Sequence, residues 1–204
     1  MTQLRYLIIL VLTASLIGCD QNPEAADSAP SSIAENPQEL AMRAGAPLFA
    51  GMGDFSMPIT TNDADAQRYF DQGMVLAFAF NHAESIRSFK AAQTLDPDCG
   101  MCFWGEALAI GPNINVTSKG KVIMSAAERV AAFSAITKAL ALATKTTPRE
   151  QAYIEALAER YNGNPQTPRE PLDEAWARAM GEVSQAYPTD STAAAIHAEA
   201  LMNT

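Results

Sequence analysis

The feature that most limits the fold of this chain is a pair of helical patterns joined by a single capping residue. Residues 65–80 carry apolar side chains at helical rather than alternating spacing, namely Tyr69, Phe70, Met74, Leu76, Phe78 and Phe80. Asn81 follows as an N-cap, and Glu84 is placed as the acidic residue of a capping box. The second helix ends at Asp96 and Pro97, because proline cannot continue a helix. The sequence therefore predicts two antiparallel helices joined by a short turn.

This helix pair resembles a tetratricopeptide repeat, a motif of about 34 residues. In a window that starts at Ala66, five residues match the small, aromatic and proline positions of that family: Gly73, Ser85, Phe89, Ala92 and Pro97. Small residues let the two helices touch, and the aromatic ring fills the gap between them. Tyr69, Gln72 and Leu76 depart from the family's usual residues. The resemblance implies a right-handed array of antiparallel helix pairs, but it implies no particular activity.

Later prolines extend the pattern along the chain. Pro97, Pro148 and Pro188 lie 51 and 40 residues apart, each one repeat length plus an insertion. Thr147 and Glu150 supply a capping box around the first-turn Pro148. We expect two further helix pairs, at residues 100–110 with 126–145 and at residues 147–161 with 172–187.

A last helix is expected at residues 190–201, with no partner following it. Its apolar face consists of Ala193, Ala194, Ile196, Ala198 and Leu201. The sequence therefore predicts an all-α array of about three and a half repeats over residues 63–204. We expect this array to be a fragment of a longer protein or to self-associate through its C-terminal helix. Stretches such as FNHAE and YPTD are similar to those of large, irregular repeat proteins of bacterial envelopes.

The amino terminus has the layout of a bacterial secretory signal. Residues 1–18 contain Arg5, an apolar run and Leu-Ile-Gly directly before Cys19, which resembles a lipoprotein lipobox. The resemblance implies cleavage before Cys19, acylation of that residue and anchoring in the bilayer on the periplasmic side. The apolar run is shorter than the roughly 20 residues that a membrane span needs. Asp20 resembles the retention signal of enteric lipoproteins and favours the inner membrane.

Residues 19–46 are expected to form a disordered tether. Their Pro, Ser, Ala and acidic residues cannot bury enough apolar surface to offset the entropy lost on ordering. Residues 47–62 mix apolar side chains with Gly and Pro, and they predict an extended lead-in packed on the first helix.

The charge of the chain excludes some partners. The formal net charge is −9, and removal of the signal with Arg5 leaves 13 basic and 23 acidic residues. Nucleic-acid binding requires clustered Lys and Arg, so we expect no nucleic-acid partner. The same charge opposes adhesion to anionic lipid, which leaves the acylated Cys19 as the contact with the bilayer.

Cys99 and Cys102 form a CxxC motif, which is the most specific chemical motif in the sequence. Phe103 follows where covalent haem attachment needs His. Asp98 is expected to cap the next helix, and a helix start lowers the pKa of a thiol, as in disulfide oxidoreductases. No βαβ pattern surrounds the pair, so the sequence favours a structural or incidental disulfide, or two packed thiols, over a redox site.

A metal site is the other possibility for these cysteines, with His82 as a third ligand. The 17 residues that separate His82 from Cys99 correspond to about 25 Å of helix, which argues against it. Met101 and Glu106 could also join, while Asn113 and Asn115 have turn roles open to them. His197 is expected to be a partly exposed helix residue. We expect no metal and no cofactor, and with no catalytic motif in the sequence we expect no enzyme.

The sequence favours a membrane-anchored scaffold that binds a protein or peptide. Phe70, Met74 and Phe78 lie one turn apart and form a candidate partner-binding face on the first helix. The alternative for these three residues is packing against a neighbouring helix or against residues 47–61. The competing class of function is a thiol-redox or metal-handling envelope protein that uses Cys99 and Cys102.

Overall fold

Eight α-helices, packed as consecutive antiparallel pairs, form the described part of the chain. The structure is a computed structural model that describes residues 36–115 and 124–204, with the backbone of 117–118 and 121–122. The helices are α1 (Pro37–Ala44), α2 (Ala64–Phe78), α3 (His82–Leu95), α4 (Gly100–Ile110), α5 (Ala126–Leu142), α6 (Pro148–Ala158), α7 (Glu170–Ala186) and α8 (Ser191–Met202). A 3-10 turn (Ala143–Lys145) extends α5, and β1 (Thr117–Ser118) pairs antiparallel with β2 (Lys121–Val122).

Capping residues account for most of the helix starts. The side chain of Asn81 accepts a hydrogen bond from the backbone of Glu84, which confirms the predicted start of α3. Thr147 and Glu150 form the predicted capping box of α6, and Ser125 forms another with Glu128 at α5. The N-cap of α4 differs from the prediction, because Cys99 takes this position in place of Asp98.

The helix α1 corrects the expectation of a disordered tether through residue 46. Asn36 caps this helix, and Gly45 ends it with a left-handed backbone, φ 81°. Leu40 and Ala44 are buried in the core, and Arg43 forms ion pairs with acidic residues at the start of α2. Tertiary contacts therefore order a segment whose composition favours disorder.

The contact between α2 and α3 is close because small residues lie at the crossing. The Ser85 hydroxyl donates a hydrogen bond of 2.7 Å to the carbonyl oxygen of Gly73. The ring of Phe89 fills the space beside this crossing, where a Cβ added at Gly73 would lie 2.7 Å from it. A Cβ at Gly105 on α4 would also collide with the same ring. Phe89 is thus enclosed between two helices that lack side chains at the contact.

The segment between α1 and α2 lies along α2 and reaches α6. The Tyr69 hydroxyl donates to the carbonyl of Ala46, and the Met57 backbone donates to Asp71. Further along, the backbone N–H and the hydroxyl of Thr60 donate to the carboxylate of Glu150, at 2.5 and 2.6 Å. The segment therefore connects the first helix pair to the third.

The last helix, α8, packs against α7, so the prediction that it has no partner is wrong. Ala193 and Ile196 are fully buried, whereas Leu201 is 55% exposed. None of the helices in the described part of the chain has both the length and the apolar character that crossing a bilayer requires.

Candidate functional site

The predicted partner-binding face is largely part of the core. Phe70 and Met74 are fully buried, and the Phe70 ring contacts those of Phe89 and Trp104. Phe78 is 40% exposed, and its ring packs edge-on against Phe55 at 5.9 Å. The alternative interpretation, in which these residues pack against a neighbouring helix and the lead-in segment, therefore describes Phe70 and Phe78. Phe70 and Met74 present no surface to a partner.

Cys99 and Cys102 form a disulfide, and both residues are fully buried. The Cys99 sulfur also accepts a hydrogen bond from the backbone of Cys102 and so caps α4. Thiol exchange requires an approaching thiolate to reach a sulfur atom, and here neither sulfur is accessible. Cys19, the predicted lipidation site, lies outside the described residues.

Within the described residues, no group of three His, Cys, Asp or Glu side chains could hold a metal ion. Met101 is fully buried. Glu106 accepts a hydrogen bond from Gln93 and pairs with Lys90 at 3.3 Å. His197 is partly exposed on α8, as predicted. Met101 is therefore a core residue, and Glu106 is an ion-pair partner of Lys90.

A concave surface with a mainly apolar lining lies where the start of α3, the end of α4 and the start of α5 meet. We call it the α3–α5 groove, and its volume is about 670 Å³. Its walls are mainly apolar and include Ile86, Ala109, Ile110, Pro112 and Ala131. Ligand sites in proteins are typically apolar cavities of this size with a few convergent polar groups.

His82 is the polar residue on the α3 wall of this groove. Its position is fixed because Asn81 begins α3 one residue earlier. Both ring nitrogens are buried, and the carbonyl of Ala109 is the hydrogen-bonding group beside the ring. Burial lowers the pKa of His82, and the neighbouring carbonyl of Ala109 opposes that shift only in part. The imidazole is therefore neutral at pH 7.

Asn113 lies on the opposite wall, in the loop that follows α4. It is 6% exposed, and its side-chain oxygen accepts a hydrogen bond from the backbone of Asn115 at 2.9 Å. This is the turn role that the sequence suggested. The sequence did not suggest that Asn113 and His82 would line one cavity. They meet because α3 and α4 are antiparallel, which brings the start of one helix beside the end of the other.

A buried cluster of charged residues is hydrogen-bonded to the loop that follows α4. The guanidinium of Arg160 donates to the carbonyl of Pro112 at 2.8 Å and to the carboxylate of Asp173 at 3.0 Å. Arg169 donates to the same Asp173 oxygen at 2.6 Å, and Arg160 stacks on the ring of Trp176 at 3.7 Å. Sequence reasoning missed this cluster, because no local pattern shows that Arg160 is fully buried. The cluster fixes the Pro112 wall of the groove.

The charged residues on the groove rim are already engaged. Lys90 pairs with Glu106, and Glu128 accepts hydrogen bonds from Ser125 in the α5 capping box. The groove therefore offers mainly apolar walls, with the imidazole of His82 on one wall and the charged groups of Lys90 and Glu128 at the rim. Comparison of the chain with protein-family models, with curated proteins and with solved structures gave no match.

Proposed function

We propose that the chain is a membrane-anchored helical-repeat scaffold of the tetratricopeptide type, which binds a segment of a partner protein at the cell envelope. The observation that carries the proposal is the α3–α5 groove, which lies between consecutive helix pairs. A groove with mainly apolar walls complements an extended or helical protein segment better than it complements an ion or a nucleotide.

Two contacts and the position of a proline support the repeat type. Ser85 touches Gly73 where the two helices of a repeat should meet, and Phe89 fills the adjoining space. Pro97 follows the end of α3, as in the repeat motif. A right-handed superhelical arrangement of the pairs is part of this proposal.

The proposed anchor is the acylated Cys19. Replacement by alanine in Cys19→Ala should release the protein from the membrane fraction and abolish labelling with a fatty-acid analogue. Cys99→Ala with Cys102→Ala provides the control, because these buried cysteines cannot be acylated and their loss should leave labelling unchanged. Labelling that persists in Cys19→Ala would contradict the anchor.

Binding in the groove can be tested by site-specific photocrosslinking in the native cell. A photoreactive amino acid at Ala131, an exposed residue on the groove wall, should give a discrete protein adduct. The same amino acid at Ala195, an exposed residue of α8 outside the groove, is the matched control. Equal adducts at both positions, or none at Ala131, would contradict a binding role for the groove.

A further inference from the structure

The loop between α1 and α2 presents an apolar surface to solvent. Residues 45–53 carry no charged side chain. Apolar residues of this loop and of α2 surround one open cavity of about 200 Å³, and the ring of Phe78 extends the surface through its contact with Phe55. We call this surface the lead-in patch, and its apolar members are Leu48, Phe49, Met52, Phe55, Val75 and Phe78. None of the six is buried, and Phe49 and Phe78 are 41% and 40% exposed.

The backbone at the base of the loop is hydrogen-bonded inward, to side chains of α2. The hydroxyl of Tyr69 donates to the carbonyl of Ala46 at 2.6 Å, and the side-chain amide of Gln72 donates to the carbonyl of Pro47 at 3.1 Å. The oxygen of the same amide accepts from the N–H of Phe49 at 2.6 Å. A backbone group that enters a bilayer loses its hydrogen bonds to water, so an unsatisfied group is costly there. These three groups are satisfied without water, while the apolar side chains of the loop remain exposed.

The position of the patch along the chain favours the bilayer as its partner. Contiguous exposed apolar surfaces mark contacts with a protein, a ligand or a membrane. Residues 20–35 separate the proposed anchor, Cys19, from the N-cap Asn36, and so short a chain spans at most about 60 Å. Helix α1 adds about 12 Å, and the loop that carries the patch follows directly after it. The anchor therefore holds the patch at a high local concentration beside the lipid.

The charged residues that border the patch set the depth of such a contact. Arg68 and Asp71 line the same cavity, and Asp54 is exposed directly after the uncharged loop. A charge is costly within the hydrocarbon, so these groups stay at the level of the headgroups. Apolar side chains of surface-bound segments enter about 5–10 Å, to the boundary between headgroups and acyl chains. Contact of this kind needs no basic surface, so it is compatible with the net charge of −9.

We propose that the lead-in patch inserts into the surface of the bilayer in which Cys19 is anchored, with Phe49 and Phe78 as its main contacts with lipid. The acylated cysteine supplies the attachment, and the patch fixes the orientation of the helix pairs relative to the membrane. This inference rests on the proposed function, because it requires the anchor, and it adds a second contact with the bilayer.

The test places a tryptophan in the patch of the full, lipidated protein. Phe49→Trp keeps an aromatic ring at this position, and the protein is reconstituted into phosphatidylcholine vesicles with bromine on the acyl chains near the headgroup. Bromine quenches tryptophan fluorescence at close contact. The added emission should lie at shorter wavelength than in detergent-free buffer, and it should be lost in brominated but not in unbrominated vesicles. Trp104 and Trp176 are fully buried, so the protein without the substitution supplies the background.

Phe133→Trp is the matched control, because Phe133 is 37% exposed on α5 and does not belong to the patch. Its emission should be the same in brominated and unbrominated vesicles. Addition of Phe78→Ser to Phe49→Trp should reduce the quenching, because one of the two exposed rings no longer enters the lipid. High salt should leave the quenching unchanged, since salt screens charges and not apolar contacts.

The outcomes separate this inference from the proposed function. Absence of quenching in Phe49→Trp, equal quenching in Phe133→Trp, or quenching that high salt abolishes would overturn the insertion, while the labelling of Cys19 would still stand. A photoreactive amino acid at Phe49 should give a lipid adduct in the native cell. A discrete protein adduct in its place would show that the patch binds a protein. Labelling that persists in Cys19→Ala would instead contradict the anchor itself.

Discussion

The Ser85 hydroxyl lies 2.7 Å from the carbonyl oxygen of Gly73, and this hydrogen bond joins α3 directly to the backbone of α2. Ser85 is fully buried, so the contact leaves no room for a larger side chain. Close packing of this kind makes the first helix pair sensitive to an increase in side-chain volume.

Ser85→Leu should therefore lower the free energy of unfolding by about 1–3 kcal/mol, because the added carbons must displace α2 or Phe89. Urea denaturation of the purified protein measures this loss. Ser134→Leu is the control, because Ser134 is exposed on α5 and a change there should cost little. Equal stabilities of the two variants would show that the contact is not close-packed.

Removal of the disulfide should lower the free energy of unfolding only modestly. Cys99→Ala with Cys102→Ala should cost at most about 2 kcal/mol, because so short a loop restricts the unfolded chain little. Native protein should also resist reduction by dithiothreitol until it unfolds, since both residues are fully buried. Insulin-reducing activity, lost in the double variant, would restore the thiol-redox alternative.

Asp173→Asn should be strongly destabilising. Its carboxylate is the acceptor for both Arg160 and Arg169, and all three side chains are buried. Neutralising it removes the carboxylate that the two buried guanidinium groups share, at a cost of about 3–5 kcal/mol. Glu174→Gln is the control, because Glu174 is exposed on the same helix. Its loss of charge should change the free energy of unfolding little. A loss as small as that of Glu174→Gln would mean that solvent reaches the cluster.

The ion pair of Asp190 and Arg149 should make stability depend on acid pH. Burial raises the pKa of Asp190, but hydrogen bonds from Arg149 and Tyr153 outweigh it, and the net pKa is lower than 3.8. A depressed pKa in the folded state contributes stability that is present above the ordinary value and lost as the pH falls through the folded pKa.

Asp190→Asn isolates this charge, because asparagine is an equally good N-cap for α8. The variant should be less stable than wild type at pH 7, and the difference should shrink as the pH falls below about 4. Thermal melts from pH 7 to pH 2 measure the difference. A gap that stays constant over this range would contradict the ion-pair account.

The sequence predicted the helices well where capping residues are local. Asn81, Thr147 and Glu150 each lie within a few positions of the backbone groups that they satisfy, so their roles could be read directly. The helix α1 was missed because its stability comes from contacts distant in sequence. Arg43 reaches Asp63 across 20 positions, and no pattern within residues 19–46 shows this.

The candidate site was harder to predict for the same reason. Spacing placed Phe70 and Met74 on one face of α2, but it could not show which neighbouring elements cover that face. His82 and Asn113 are 31 positions apart, and only the antiparallel packing of α3 and α4 puts both on one groove.

The hydrogen bonds from Thr60 to Glu150 have a consequence for how the chain unfolds. Repeat proteins whose units contact only their neighbours lose structure progressively from the ends. Here a segment that precedes the first pair is bonded to the helix that opens the third, across 90 positions. Fraying of the first pair must break that link, and opening of α6 must release the segment. The first helix pair and α6 are therefore coupled, so that neither can open without breaking bonds that involve the other.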